Sequence, residues 1–409
     1  MAAGRAGNSS AASCAIWKRS ARRPCSAITP AASPPQSGFT WACGRAGCRA
    51  SNPWRAPAFR AWLREKHATD EALRRLLASP HIDAVCSPVS YLDRSAGGGG
   101  FFMAAVDSVK LHGKLWIVED DTRTHLSTSE PGLADLRETA GLHARNFARG
   151  DGAWWMDLYG QGWLKDEAIW RHLGKLGDFY QKSMDRLEPC RPEIAVIVDE
   201  RSSLGMSPGG AVERLNLPIF RTKCYQIGTP AGVYLLDDLV AGKVPPAKMT
   251  LILNASRIDA AQLEALRKNT MRKDTTTVWM YAPSYVRDDV TDPAATPLAT
   301  YSNGTGVAVA SKTTAGHTSV YCGVLQLPAK MTLILNAGVH LYNDQNDVVM
   351  AGNGLVALHA SAAGKKVIKL PRESAVEDVL TGEKFPAAAE FTFEMQTGDT
   401  RLLQLIPAP

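Results

Sequence analysis

From about residue 58 onward, short apolar runs ending in acids alternate with amphipathic stretches. Phe59, Trp62 and Leu63 recur three or four residues apart among Arg60, Arg64, Glu65 and Lys66, the spacing of a helix with one apolar stripe. Asp70 to Leu77 predicts a second helix that stops before Pro80. Ile82 to Cys86 predicts a short strand leading into Ser87–Arg94 and a glycine loop over Gly97–Gly100. Leu115 to Val118 is an unbroken apolar run bounded by charge, the pattern of a strand buried on both faces of a parallel sheet, and Glu119 is the first residue past it. Thr128 or Ser129 is positioned to cap the next helix, with Pro131 in its first turn. Leu133, Leu136, Ala140, Ala144 and Phe147 form its apolar stripe, and Gly150 ends it. Ala153 to Asp157 predicts a third strand ending in an acid, and a helix from about Lys165 to Arg186 closes the unit. Three strand-then-helix repeats imply a βα series around a parallel sheet.

The same punctuation continues at Glu193–Asp199, Val233–Asp237, Met249–Asn254 and Thr277–Tyr281, with a helical stretch over Ala260–Lys268. This predicts an open, doubly wound α/β domain. From about Val348 the pattern shifts to short strands with Gly and Pro between them, ending in Glu390–Glu394 and Thr400–Leu405, as in a small antiparallel β domain. Pro246–Ala255 recurs identically as Pro328–Ala337, between unrelated flanks, so it is not a solenoid repeat.

A chain of 409 residues predicts two or three domains, and 45% hydrophobic with 21% charged residues is an ordinary globular composition. No run approaches the ~20 apolar residues that span a bilayer, so no membrane partner is expected. Residues 1–64 hold ten Lys or Arg and no acid, so the net charge of +6 leaves −4 on the other 345 residues. A mildly acidic body gives no reason to expect a nucleic-acid partner. Residues 1–56 lack periodicity and read as a disordered tail or an out-of-frame segment; an Arg- and Ser-rich, acid-free composition also fits a transit peptide. Cys43 and Cys48 have no companion Cys/His pair for zinc, and the remaining cysteines are scattered, which fits a cytoplasmic, reducing setting.

The chemistry concentrates after the Leu115 strand. In α/β barrels reacting groups sit where strands end, and a glutamate there is the type of nucleophile used in glycosidic-bond hydrolysis. Glu119, first past the strand, is therefore the candidate catalytic residue, with Asp120 and Asp121 as alternatives and a solvated or helix-capping acid as its competing role. Tyr91, Arg94, Asp121, Arg123 and His125 are candidates to orient it or contact sugar hydroxyls, with loop anchoring as the competing role. Of the adjacent Trp154 and Trp155, at least one must face away from the site; Trp155 is the candidate for stacking on a sugar ring. Asp157 either binds substrate or caps the following turn. His112 and His143 read as structural. No cofactor and no metal are expected, since His, Cys and acids do not cluster. Gly205–Gly210 lacks the spacing of a phosphate loop.

Taken together, Phe59–Lys66, Ser87–Tyr91, Asp107–Trp116, Glu119–His125 and Trp154–Asp157 resemble glycoside hydrolase family 42, a β-galactosidase-like family. Tyr234–Asp238 resembles that family's middle, glutaminase-like domain. The resemblance implies an α/β fold with the C-terminal part of a (β/α)₈ barrel over 57–189, then the glutaminase-like α/β domain over 190–347 that is associated with homotrimer formation, then a small C-terminal antiparallel β domain over 348–409. It implies a retaining hydrolase of β-galactosides or related oligosaccharides with Glu119 as nucleophile at the end of the seventh strand. The family's acid/base glutamate lies upstream of the Phe59–Lys66 helix, where this chain has no acid. A complete barrel takes ~250 residues, so the resemblance implies a truncated barrel with impaired activity. The alternative is a non-catalytic remnant that self-associates or binds sugar.

Overall fold

The computed structural model describes residues 72–91, 94–99, 102, 104–128, 131–183, 191–204, 220–256, 258–280, 292–302, 306–323 and 337–406. The basic tail, the helix expected over Phe59–Leu63, the Gly205–Gly210 segment and residues 328–336 of the repeated decapeptide lie outside them.

The first sheet is parallel, in the order β1 (Ala84–Pro88), β2 (Leu115–Asp120), β3 (Gly152–Trp155). Helix α1 (Ala72–Ala78) precedes it, α2 (Val106–Leu111) and α3 (Leu136–Ala148) join its strands, and α4 (Glu167–Ser183) follows. Two expectations about β2 change. The strand runs through Asp120, so Glu119 lies within the ladder opposite Trp154 rather than beyond it. Among the described residues it is also fully covered on one face only. Trp116, Val118 and Asp120 are buried beneath the helices, whereas Leu115 at the other face is 53% exposed.

Helix α3 starts seven residues later than the Thr128 signal suggested. Asp135 is its N-cap and forms a reciprocal capping box with Glu138, whose carboxylate also accepts from Ala134 N–H. Pro131 and Gly132 instead belong to a close crossing of the β2–α3 loop: a Cβ on Gly132 would lie 2.3 Å from the Thr124 carbonyl oxygen. At its far end α3 stops at Ala148, and Gly150 takes a φ of 70°, as the glycine predicted.

The second sheet has seven strands in the order β5-β4-β6-β7-β10-β9-β8. Strands β4 (Ile194–Val198), β5 (Ala231–Leu235), β6 (Met249–Ile252), β7 (Thr276–Met280) and β10 (His317–Cys322) are parallel. Strands β8 (Thr296–Thr300) and β9 (Val307–Thr314) extend the sheet antiparallel, so it is mixed rather than purely doubly wound. The four strands β4 to β7 are almost wholly buried, and their continuous apolar runs made them legible. Helices α5 (Glu200–Leu204), α6 (Phe220–Tyr225), α7 (Leu236–Val240) and α8 (Ala260–Thr270) accompany them.

Strand β5 ends the row among the described residues, yet its outward groups are paired by side chains of the first unit. Asp107 accepts from Val233 N–H at 2.7 Å, Ser108 accepts from Leu235 N–H at 2.8 Å, and Arg149 donates to the Ala231 carbonyl at 3.0 Å. Arg149 also grips Asp107 with two 2.8 Å bonds.

The third sheet is antiparallel: β11 (Val348–Gly352), β12 (Leu355–His359), β15 (Thr400–Ile406), β13 (Gly364–Asp378), β14 (Lys384–Met395). At 15 and 12 residues, β13 and β14 are long rather than short; bulges near Ser374 and Val376 bend the hairpin and carry it past interruptions such as Pro371 and Pro386. Helix α3 packs on β12 and β15 so closely that a Cβ on Gly141 would meet Thr400 Oγ1 at 2.4 Å. One hydrophobic core links the three sheets through residues such as Trp116, Val196 and Leu402.

Candidate functional site

Strand alternation and register decide which side chains share a face with Glu119. Position 119 pairs with Pro88 on one side and Trp154 on the other, so Glu119, Ile117 and Leu115 lie on the uncovered face with Cys86 and Trp154. The Trp154 indole N–H donates to Cys86 Sγ at 3.1 Å, which fixes the ring across that face while leaving it 39% exposed. Trp155 is on the other side. It stacks on Phe147 at 6.0 Å and meets the edge of His143, so it packs beneath the sheet and Trp154 is the tryptophan beside Glu119. That part of the sequence expectation is corrected. The expectation named Trp155, whereas the register with β2 puts Trp154 on the Glu119 face.

Three predicted residues converge at the carboxyl ends of β1 and β2. Tyr91 O–H donates to Asp121 Oδ2 at 2.8 Å, and Arg94 pairs with Asp121 Oδ1 at 2.6 Å. The Arg94 guanidinium lies 3.9 Å from the Tyr91 ring centroid and is anchored on the Ser90 and Val89 carbonyls. Glu119 itself makes no side-chain hydrogen bond or ion pair with a described residue. Partial burial and the neighbouring Asp121 carboxylate push its carboxyl up from the ordinary range, while Arg94 pulls it back. The same desolvation, with Glu119 nearby, raises the Cys86 thiol.

Arg123, His125 and Asp157 are not drawn into this group. Arg123 lies over the Trp163 ring at 5.7 Å. His125 bridges Thr139 on α3, at 3.3 Å, and Asp166 before α4, at 3.1 Å. Asp157 accepts from Gly162 N–H at 2.8 Å, closing its own turn. These contacts, with a hydrogen bond from Thr124 Oγ1 to the Trp163 carbonyl, stitch the β2–α3 and β3–α4 loops into one block.

Beneath the face, Asp120 accepts from Asn146 at 3.2 Å and faces His143 at 3.6 Å. Burial lowers the His143 pKa, and it lowers His172, stacked 6.1 Å from His143, to about 4. Both rings are neutral at pH 7 and serve packing. His112 bonds Asp238 at 2.8 Å. Among the described residues, no three His, Cys, Asp or Glu side chains are grouped to hold a metal ion. No helix among them is long and apolar enough to cross a membrane.

No protein-family model matches the chain, and no curated protein matches it in sequence. Solved structures match its fold. A β-galactosidase from Rahnella sp. R3 superposes with a TM-score of 0.58 at 13% identity, over 81% of this chain and 61% of that one. Gan42B, a GH42 β-galactosidase from G. stearothermophilus, gives 0.56 at 10% identity, over 81% and 60%. The chain thus has a fold like that of GH42 β-galactosidases and spans about 60% of their length.

Proposed function

We propose that this chain is a glycoside hydrolase of β-galactosidase type, acting on β-galactosides or related oligosaccharides, with Glu119 as a retaining nucleophile. One observation carries the reading. Glu119 stands near the carboxyl end of the central parallel strand, on the uncovered face, with an aromatic ring beside it and the Tyr91–Arg94–Asp121 group next to it. The fold likeness to β-galactosidases supports the same direction.

In this reading Glu119 attacks the anomeric carbon as the glycosidic C–O bond breaks, and water then displaces the carboxylate to release the sugar. Arg94 favours the ionised carboxylate the attack needs, and Trp154 offers a face to the sugar ring. Arg123, His125 and Asp157 hold the surrounding loops. A retaining pair requires a second carboxyl ~5–5.5 Å away that protonates the leaving oxygen. Asp121 is the acid whose charge acts on Glu119, and it is tied to Tyr91 and Arg94. Without a free acid, catalysis forgoes ~10²–10⁴-fold, so aryl galactosides, whose phenolate leaves unaided, are the substrates of choice.

Hydrolysis of p-nitrophenyl β-galactoside is the test. The expected result is slow turnover that Glu119→Gln abolishes, with covalent labelling of Glu119 by a 2-fluorogalactoside. A chain that neither turns over nor labels is not a hydrolase. The occupied Asp121 favours a second reading for that case, a non-catalytic sugar-binding protein that self-associates through the middle α/β domain.

A further inference from the structure

Arg94 reaches Asp121 from the edge of a turn that its own sequence does not hold in place. Ser95–Gly98 forms one turn, closed by Gly98 N–H on the Ser95 carbonyl at 2.9 Å, with Gly97 at a φ of 77°. Gly97 and Gly98 have no side chains to anchor, and glycine backbone is the freest of all. One internal hydrogen bond does not freeze such a segment. The fastening comes from the third sheet, 262 and 264 residues away along the chain.

His359, the last residue of β12, accepts from Gly97 N–H at Nε2 over 2.9 Å, and Ser361 Oγ donates to the Gly97 carbonyl at 2.8 Å. Both backbone groups of one glycine are thus held by side chains of the C-terminal β domain. Arg145 of α3 donates to the next carbonyl, that of Gly98. The seat is close: a Cβ on Gly97 would lie 3.0 Å from Ser361 Cα. It is also rigid. Because His359 Nε2 accepts, its proton is on Nδ1, which faces Thr400 Oγ1 at 2.8 Å, and burial with the nearby Arg145 keeps the ring neutral. Ser361 N–H donates to Asp347 at 2.9 Å, and the same carboxylate oxygen pairs with Lys366 at 2.8 Å in a buried ion pair. Neither this pair nor His359 has a part in the chemistry assigned to Glu119.

We propose that His359 and Ser361 are positioning residues for the Glu119 site, holding Gly97 by both of its backbone groups so that Arg94 stays on Asp121, beside Glu119. The proposal rests on the reading of Glu119 as the nucleophile. The Ser90 carbonyl and Asp121 orient the Arg94 guanidinium, whereas the turn sets the Cα from which it reaches. A turn released from the third sheet lets that Cα drift and the guanidinium with it. Coulomb attraction falls with distance, so Glu119 then loses part of the cation that favours its ionised form. The C-terminal domain, which carries no residue of the candidate site, acts on that site through one glycine.

NMR titration of the Glu119 carboxyl in the full chain tests this, alongside hydrolysis of p-nitrophenyl β-galactoside. Ser361→Ala and His359→Leu are expected to raise the Glu119 pKa by about half of the rise that Arg94→Leu produces. His359→Gln, whose amide oxygen replaces Nε2 as the acceptor, restores the parent titration. In an Arg94→Leu background Ser361→Ala moves Glu119 no further, because residues acting through one partner are not additive. A residue that only stabilised the fold would lower the urea midpoint and leave the titration in place. Parent-like titration in both Ser361→Ala and His359→Leu, shifts that persist in full without Arg94, or no shift in Arg94→Leu itself would each overturn the proposal. If His359→Leu does not fold, Ser361→Ala, which deletes one hydroxyl, decides alone. Shifts in a chain that hydrolyses nothing reject the nucleophile and keep the positioning, and hydrolysis without shifts does the reverse.

Discussion

Glu119 sits between charges of opposite sign, and its ionisation reports their balance. Burial and Asp121 raise its pKa, whereas Arg94 lowers it. Replacing Asp121 by Asn removes the like charge, so the Glu119 pKa should fall; replacing Arg94 by Leu should make it rise. Carbon-detected NMR titration of the Glu119 carboxyl reads both without any need for turnover, and an unmoved titration in both variants would mean that neither charge reaches it. At this scale the sequence was partly transparent. Tyr91, Arg94 and Asp121 stand out as chemistry-bearing types in strand-end loops, and they meet. Trp155 was the expected stacking residue, but the faces of Trp154 and Trp155 depend on a ladder register set by β2, 35 residues away. Arg123 and His125 read as site residues since loop anchors and ligand contacts draw on the same side-chain chemistry.

Among the elements, α3 shows how a local signal is overruled. Thr128, Ser129 and Pro131 together resemble a helix start, but Asp135 and Glu138 complete a reciprocal pair that satisfies two backbone donors. Asp135→Ala should destabilise the protein by about 1 kcal/mol, measured as a lower urea midpoint with an unchanged slope. If stability is unaffected, the cap is dispensable and the helix is held by its packing on β12 and β15 alone. The buried parallel strands β4 to β7 were legible as short apolar runs, closed by an acid at β4 and β5, whereas the parallel strand β10 was not read. Strands β8 and β9 were not read either: β8 is exposed along its whole length, and its sequence, Thr296-Pro-Leu-Ala-Thr300, carries no alternation to read. The length of β13 and β14 was hidden by Pro371 and Pro386, which bulges and an edge position accommodate.

The molecule as a whole carries ionisable groups that only folding buries, and these set its response to acid. His172 has a pKa near 4 in the native state, chiefly through burial and secondarily through His143, against 6.5 when free. Between those values the unfolded chain binds more protons, so stability present above pH 6.5 is lost as pH falls toward 4. His172→Gln should therefore lose less in melting temperature between pH 7 and pH 4.5 than the parent; equal losses would show that His172 is not part of the acid response. The Asp107–Arg149 pair acts at the same scale. Asp107→Ala strands a nearly buried guanidinium and the Val233 N–H, with an expected loss of about 3–5 kcal/mol, read by chemical denaturation. A loss below about 1 kcal/mol would show that the contact between the units is held by packing instead.

That contact also limits how freely this architecture can be rearranged. A sheet edge is usually an address at which any strand can arrive, yet the edge at β5 is already spoken for by three side chains from two separate helical segments, Asp107 and Ser108 at α2 and Arg149 at the end of α3. A shuffled protein that keeps the seven-stranded sheet but takes its first unit from elsewhere inherits an open row of amides and carbonyls. The two units are therefore expected to be inherited as a pair, with Asp107, Ser108 and Arg149 changing only in step with the strand they cover.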